Sequence, residues 1–106
     1  MLQNFDCVNF VDDDENPTGG NVTGIGMFIN WQNGPLGRGE DRIEPNGAFV
    51  ETVIAAAKQR LEFYQDSKFA CNENEEAVSH LNSALKALDA RTRMREAREV
   101  EGTHEV

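Results

Sequence analysis

The 106-residue sequence is short of several residue types, and each shortage narrows the possible functions. Cys7 and Cys71 are its two cysteines, so a disulfide framework is excluded; a single bridge stays possible, but two free and mostly buried thiols are expected. The two histidines lie near no cysteine at metal-ligand spacing, so no metal or other cofactor is expected. Ten basic residues against 19 acidic ones give a net charge of −9, which argues against a sequence-independent grip on DNA or RNA.

Long apolar runs are also missing. No stretch approaches the roughly 18 apolar residues of a membrane helix, and the first residues show no basic leader before an apolar run, so we expect a cytoplasmic protein with no membrane partner. The hydrophobic fraction is 39%, with six Phe, enough for a compact core of modest size. A domain this small buries only about two thirds of its unfolded surface, so association is expected to add stability.

The first half of the chain predicts strands and a loop. Residues 1–20 contain five acids and no base, and form either a mobile lead-in or an edge strand followed by a turn. The stretch from Asn21 to Trp31 predicts one strand, because Ile25, Met27, Ile29 and Trp31 alternate with smaller or more polar neighbours, apart from Phe28. Four glycines and two prolines in residues 32–47 exclude a regular element and predict a long structured loop, which either binds something, covers an interface or only connects turns.

The second half predicts a helical hairpin over residues 48–98. Asn46 is the expected N-cap of the first helix; the second runs from about Asn74 to Arg98, capped by Asn72 or by Asn74 itself. Two stripes recur at three- and four-residue steps. They are Val50, Val53, Ile54, Ala57, Leu61 and Tyr64 on the first helix, and Val78, Leu81, Leu85, Leu88, Thr92 and Arg95 on the second.

The predicted fold class is therefore α+β, a small antiparallel β-sheet followed by a two-helix antiparallel hairpin, with apolar helix surface left over for a symmetric oligomer. Residues 1–20 form an acidic lead-in. Residues 21–106 form one domain, made of a strand and loop over 21–47, the hairpin over 48–98 and a tail over 99–106.

Arginines gather at the end of the second helix, where Arg91, Arg95 and Arg98 share one face. One interpretation is a solvated helix end that is stabilised by ion pairs such as Asp89 with Arg93. The other is an anion site, because guanidinium groups donate paired hydrogen bonds to phosphate. Phe63 and Tyr64 would supply stacking surfaces, but they lie at the opposite end of the hairpin, so a joint site needs a second subunit.

Three segments carry a resemblance to a known family: "WQNGPLGRGEDRIEPNGAFVE", "FYQDSKFACNEN" and "RTRMREAREVEGTHEV". From about Asn21 to Val106 the chain resembles the phage anti-Thoeris sponge family of the first type, which shares a helical-hairpin region with phage anti-CBASS sponges. The resemblance implies a non-catalytic protein in the cytoplasm of an infected bacterium that sequesters cyclic nucleotide signals. The expected ligands are glycocyclic ADP-ribose and cyclic di- and trinucleotides, and the expected assembly is dimers forming a hexamer.

The resemblance also implies site residues. Tyr64 matches the ring that stacks on adenine, where the family usually has Phe, and Asn74 matches a polar pocket residue. Arg91 and Arg95 match phosphate-contacting arginines, with Phe63 and Thr92 as neighbours in the site. In the loop, Arg38 and Arg42 are the expected contributors to a separate cyclic-trinucleotide site.

Two other functions stay open on the residues alone. An acidic surface can serve as an interaction module that inhibits a host defence protein or mimics DNA. A phosphodiesterase that cleaves the same signals would normally need a His pair or a metal cluster, and neither is apparent. Glu76 and His80 share a helix face, but they have no third ligand.

Overall fold

The computed structural model describes residues 1–106, and the chain divides into two compact units. The first comprises Met1–Phe49 with Val100–Val106, and the second is Val50–Glu99. A three-stranded antiparallel sheet forms much of the first unit, and two helices form the second. The predicted α+β class is confirmed.

The sheet consists of β1 (Phe5–Val11), β2 (Pro17–Gly24) and β3 (Met27–Asn30) in the order β1-β2-β3. Its register pairs Cys7 with Val22 and Val22 with Ile29. The acidic lead-in therefore contains an edge strand, as one of the two predicted alternatives had it. The prediction of one strand from Asn21 to Trp31 is wrong. The chain turns at Ile25 and Gly26, so this stretch is divided between the end of β2 and the short β3.

Asp12 organises the turn between β1 and β2. Its Oδ1 accepts the backbone N–H groups of Asp14 and Asn16, each at 2.9 Å, and its Oδ2 accepts the Asn16 side-chain amide at 3.2 Å. The hydrogen bond from the Asn16 backbone lowers the pKa of the Asp12 carboxyl, because it favours the charged form. An acidic segment that looks mobile by composition is thus tied into a defined turn.

The glycine-rich loop, residues 32–47, has almost no regular structure beyond a 3-10 turn at Gly39–Asp41. Its base is closed by Asn46, whose Oδ1 accepts the Asn33 N–H at 2.8 Å and whose own N–H donates to the Gln32 side chain at 2.9 Å. The expectation that Asn46 caps the first helix is therefore wrong, since its side chain is used within the loop. The prediction of a structured loop is confirmed.

The hairpin consists of α1 (Val50–Gln65) and α2 (Asn72–Ala97), which pack against each other and are joined by residues 66–71. Cys71 is the residue before α2, and no side chain caps that helix, so the predicted caps at Asn72 and Asn74 are wrong. Neither helix combines the length and the apolar composition that crossing a lipid bilayer requires.

Side-chain burial is incomplete throughout the chain. Gly20 is the one buried residue, and no apolar side chain is buried. The α2 stripe is half-buried at every predicted position from Val78 to Arg95, as its periodicity indicated. Cys7 and Cys71 are free, as expected, but both are exposed, so the prediction that they are mostly buried is wrong.

Candidate functional site

An aromatic cluster forms at the C-terminal end of α1 from Arg60, Phe63 and Tyr64, here called the aromatic end. Positions i, i+3 and i+4 of a helix share one face, which brings the three side chains together. The two ring centres are 6.1 Å apart at an angle of 56°. The Arg60 guanidinium lies 5.0 Å from the Phe63 ring centre and 4.9 Å from that of Tyr64, and its Nε donates to the Tyr64 hydroxyl at 3.2 Å.

The connection between the helices fixes this end of the hairpin. The Gln65 side-chain amide donates to the Cys71 carbonyl and accepts the Cys71 N–H, both at 3.0 Å. Ser67 donates its hydroxyl to the Tyr64 carbonyl. Asn74 lies half-buried in the first turn of α2, at the same end of the hairpin as the two rings. The two rings at the end of α1 and the Asn74 amide at the start of α2 therefore flank an ordered connection.

The other end of α2 carries Arg91, Thr92 and Arg95, here called the arginine end. Thr92 and Arg95 are half-buried, and the Thr92 hydroxyl donates to the Leu88 carbonyl at 3.2 Å. Arg91 is exposed, although it shares a helix face with the half-buried Arg95. No carboxylate lies within ion-pair distance of Arg91. Its guanidinium is consequently available to an anionic partner from outside the chain.

The predicted ion pair between Asp89 and Arg93 is confirmed, with an Nε–Oδ2 distance of 2.9 Å. Both side chains are largely exposed, at 60% and 77%. An exposed pair at i, i+4 spacing contributes only about 0.3 to 0.5 kcal/mol. The helix-end interpretation thus accounts for Arg93, but Arg91 lies outside it.

One hairpin does not bring its aromatic and arginine ends together. Asn74 and Arg91 are 17 positions apart in one continuous helix, which corresponds to about 26 Å at 1.5 Å per residue. No small ligand spans that distance while contacting both. The separation predicted from the sequence is therefore present in the structure.

A second arginine cluster lies in the first unit, where the glycine-rich loop meets the C-terminal tail, residues 100–106. Arg42 Nη1 and Nη2 donate to the two carboxylate oxygens of Glu101 at 2.7 and 3.1 Å. Arg38 Nη1 donates to the Glu101 carbonyl at 2.9 Å. The Gly37 N–H adds a bond to the Gly102 carbonyl at 2.8 Å. Both predicted second-site arginines thus hold the chain's own tail.

The histidines offer no metal site. His80 Nε2 lies 3.5 Å from Glu76 Oε1, and both side chains are exposed. No group of three or more His, Cys, Asp or Glu side chains is placed to hold a metal ion. The shared face of Glu76 and His80 is confirmed, as an ion-pair spacing on the surface of α2.

Two residues were missed by sequence reasoning. Arg60 could have been found, because its spacing to Phe63 and Tyr64 places all three on one face of a predicted helix. Glu101 could not, because it is 59 positions from Arg42 and nothing local links them.

These features define a class: small α+β proteins built on a helical hairpin that carries aromatic and guanidinium groups at separate ends. A family model described as "Acb2/Tad1, hairpin domain" matches residues 24–93. The chain belongs to this family, and the resemblance read from the three sequence segments is confirmed.

A relative in Bacillus phage SBSphiJ7, named "Thoeris anti-defense 1", is 43% identical over 77 residues. The alignment covers 73% of this chain and 51% of the relative. The chain therefore spans about half the length of that protein.

Proposed function

We propose that this protein is a phage anti-defence sponge that binds cyclic nucleotide immune signals and holds them without cleaving them. The observation that carries the proposal is its membership of the Acb2/Tad1 hairpin family, together with a relative named for anti-defence against Thoeris. The ligand classes are glycocyclic ADP-ribose of Thoeris systems and the cyclic di- and trinucleotides of CBASS systems. The place of action is the cytoplasm of the infected bacterium.

The aromatic end supports a base-binding role. Tyr64 is partly exposed at 36% and Phe63 at 53%, so both rings are accessible. Stacking of a base on an aromatic side chain contributes about 1 to 3 kcal/mol. Asn74, at the same end of the hairpin, adds donor and acceptor atoms that can hydrogen-bond a base edge or a ribose.

The arginine end supports a phosphate-binding role. Hydrogen bonds between a guanidinium and a phosphate are charge-assisted and contribute about 1.5 to 3 kcal/mol each. Arg91 is exposed and has no carboxylate partner. Thr92 is the next residue, Arg95 lies one turn further along α2, and both are half-buried. Cyclic nucleotide signals combine base and phosphate, so they match the two ends taken together.

A second copy of the chain completes this site in our proposal. If two α2 helices pair antiparallel about a two-fold axis midway between Asn74 and Arg91, the aromatic end of one copy lies level with the arginine end of the other. That midpoint falls near Ser83, which shares an exposed face of small residues with Ser79 and Ala87. Small side chains let two helices approach closely. Further pairing of such dimers gives the hexamer that the family resemblance implies.

Arg38 and Arg42 are proposed as a separate site for cyclic trinucleotides. The Arg42 guanidinium already binds the Glu101 carboxylate, which supports its suitability for anionic oxygen, and Arg38 donates to the Glu101 carbonyl beside it. A phosphate at this site has to share these donors with the tail or displace it.

The proposal is tested by capture and release. The protein is incubated with a panel of glycocyclic ADP-ribose and cyclic oligonucleotides, separated from free ligand and denatured, and the released compound is identified by mass spectrometry. A sponge returns the ligand intact. Cleaved product would indicate a phosphodiesterase, and no uptake of any compound would favour an acidic interaction module.

Three substitutions sharpen the test. Tyr64→Ala is expected to weaken binding by about 5- to 150-fold with the oligomer retained. Arg91→Ala is expected to weaken binding by about 10- to 150-fold, with an unchanged melting temperature. Ser83→Arg is expected to abolish pairing and binding together, as measured by light scattering and calorimetry. Tight binding by a monomeric Ser83→Arg protein would refute the shared site.

A further inference from the structure

Arg60 is held at the aromatic end by three separate contacts. Its guanidinium lies within 6 Å of two ring centres, the range of a cation–π interaction, and its Nε–H is bonded to the Tyr64 hydroxyl. A long arginine side chain on a helix surface normally samples many rotamers, and ordering it costs entropy. The contacts restrict Arg60 to the position beside the Tyr64 ring.

The charge of Arg60 is not neutralised within the chain. No carboxylate lies within ion-pair distance of it, and the nearby Glu62 is instead 4.0 Å from Lys58. A guanidinium has five N–H donors, and the Tyr64 hydroxyl uses one of them. In a protein of net charge −9, Arg60 is therefore a local cation with spare donors beside two accessible rings.

The geometry matches the chemistry of one nucleotide. The guanidinium lies over the Tyr64 ring, 4.9 Å from the ring centre, so a base that stacks on this ring would lie close to the guanidinium. In a nucleotide, one ribose joins the base to the phosphate, so the two groups lie close together. Tyr64 and Arg60 also lie close together, in direct contact, so one nucleotide can place its base on the ring and its phosphate at the guanidinium. The Tyr64 hydroxyl accepts from Arg60, which leaves its own proton for an oxygen of the same ligand.

We propose that Arg60 is a ligand-contacting residue, donating to a phosphate of the nucleotide whose base stacks on Tyr64. The proposal rests on the proposed function and deepens it. It gives the aromatic end its own phosphate contact, in addition to the arginines contributed by the second copy. One helix then contacts both the base and the phosphate of the nucleotide, before the second copy adds its arginines.

The test is calorimetric titration with glycocyclic ADP-ribose at about 50 mM and about 300 mM salt, where screening of exposed charges differs strongly. Arg60→Ala is expected to weaken binding by about 10- to 150-fold at low salt, and by less at high salt. Arg60→Lys keeps the charge but loses the planar fork, and should recover part of the affinity. Lys58→Ala is the matched control, because it removes the same charge from the same helix, and its affinity should stay within about twofold of wild type.

The outcomes separate the two proposals. If the wild-type chain takes up none of the cyclic nucleotide panel, the proposed function fails and the inference fails with it. If the wild type binds while Arg60→Ala binds equally well, the inference alone is overturned. Loss of affinity by the same factor at both salt concentrations would also overturn it, because it would make Arg60 a support for the ring rather than a phosphate contact.

Discussion

Replacing Gly102 with alanine is expected to detach the C-terminal tail from the glycine-rich loop. Gly102 has a φ of +80°, a conformation that costs an alanine about 1 to 2 kcal/mol. An added Cβ would also lie 3.1 Å from the Gly37 carbonyl carbon and overlap its oxygen. Overlap of this kind typically costs about 1 to 3 kcal/mol more. The expected loss of docking free energy is thus about 2 to 5 kcal/mol.

Amide hydrogen exchange at Gly37 measures this loss directly, because its N–H donates to the Gly102 carbonyl at 2.8 Å in the docked tail. Gly34→Ala is the control: Gly34 has a φ of +74°, but nothing lies within 4 Å of the position of its added Cβ. The control carries the backbone cost without the overlap. Exchange at Gly37 should therefore be about 5- to 150-fold faster in Gly102→Ala than in Gly34→Ala.

Equal exchange rates in the two variants would refute this reasoning. They would mean that the loop moves aside at little cost and that the close approach of Gly37 and Gly102 does not hold the tail. The melting temperature is a second readout. It also depends on the helical unit, which contains neither Gly37 nor Gly102, so it reports docking of the tail less directly than exchange at Gly37 does.

Three smaller perturbations have expected outcomes. Asp89→Ala breaks an exposed ion pair and should lower the melting temperature by only about 1 to 4 °C in a thermal scan. A larger decrease would contradict the small free energy that is assigned to this exposed pair. Gln65→Ala removes two hydrogen bonds to Cys71 and should destabilise by about 1 to 3 kcal/mol in urea titration, whereas an unchanged midpoint would show that the connection needs no clamp. The pKa of Asp12 is lowered in the folded chain by the hydrogen bond that the Asn16 backbone donates to it. The stability that this carboxylate contributes is therefore complete above the ordinary value of 3.8 and is lost as pH falls through the folded pKa. The difference in melting temperature between wild type and Asp12→Ala should narrow on acidification, and a difference that widens would give the opposite sign.

The helices could be predicted because their pattern is local. Leu81, Leu85 and Leu88 repeat at helical spacing, and the same rhythm reaches Thr92 and Arg95, all of which are half-buried in the structure. The first half of the strand β2, "PTGGNVTG", and its separation from β3 could not be predicted, because β2 has one strongly apolar residue, Val22, and no alternation. Its extended state depends on hydrogen bonding to strands on both sides, which composition does not encode.

Helix caps were mispredicted for a related reason. An asparagine before a helical pattern is a good cap only when its side chain has no better partner. Asn46 instead bonds Asn33 across the base of the loop, 13 positions away in the sequence. The same distinction applies to the candidate site. The position of Arg60 beside the rings is predictable from helical spacing, whereas the pairing of Arg42 with Glu101 joins residues 59 positions apart and is not.

The pairing of Arg42 with Glu101 sets a threshold for any incoming anion. A phosphate that binds both terminal nitrogens of Arg42 has to displace the Glu101 carboxylate. This carboxylate belongs to the same chain, so its local concentration does not fall when the solution is diluted. A dissociation constant for a ligand at the proposed second site would include the free-energy cost of breaking the Arg42–Glu101 pair. If the proposed second site binds a cyclic trinucleotide, the several phosphates of that ligand offer more contacts to offset this cost than a single small anion does.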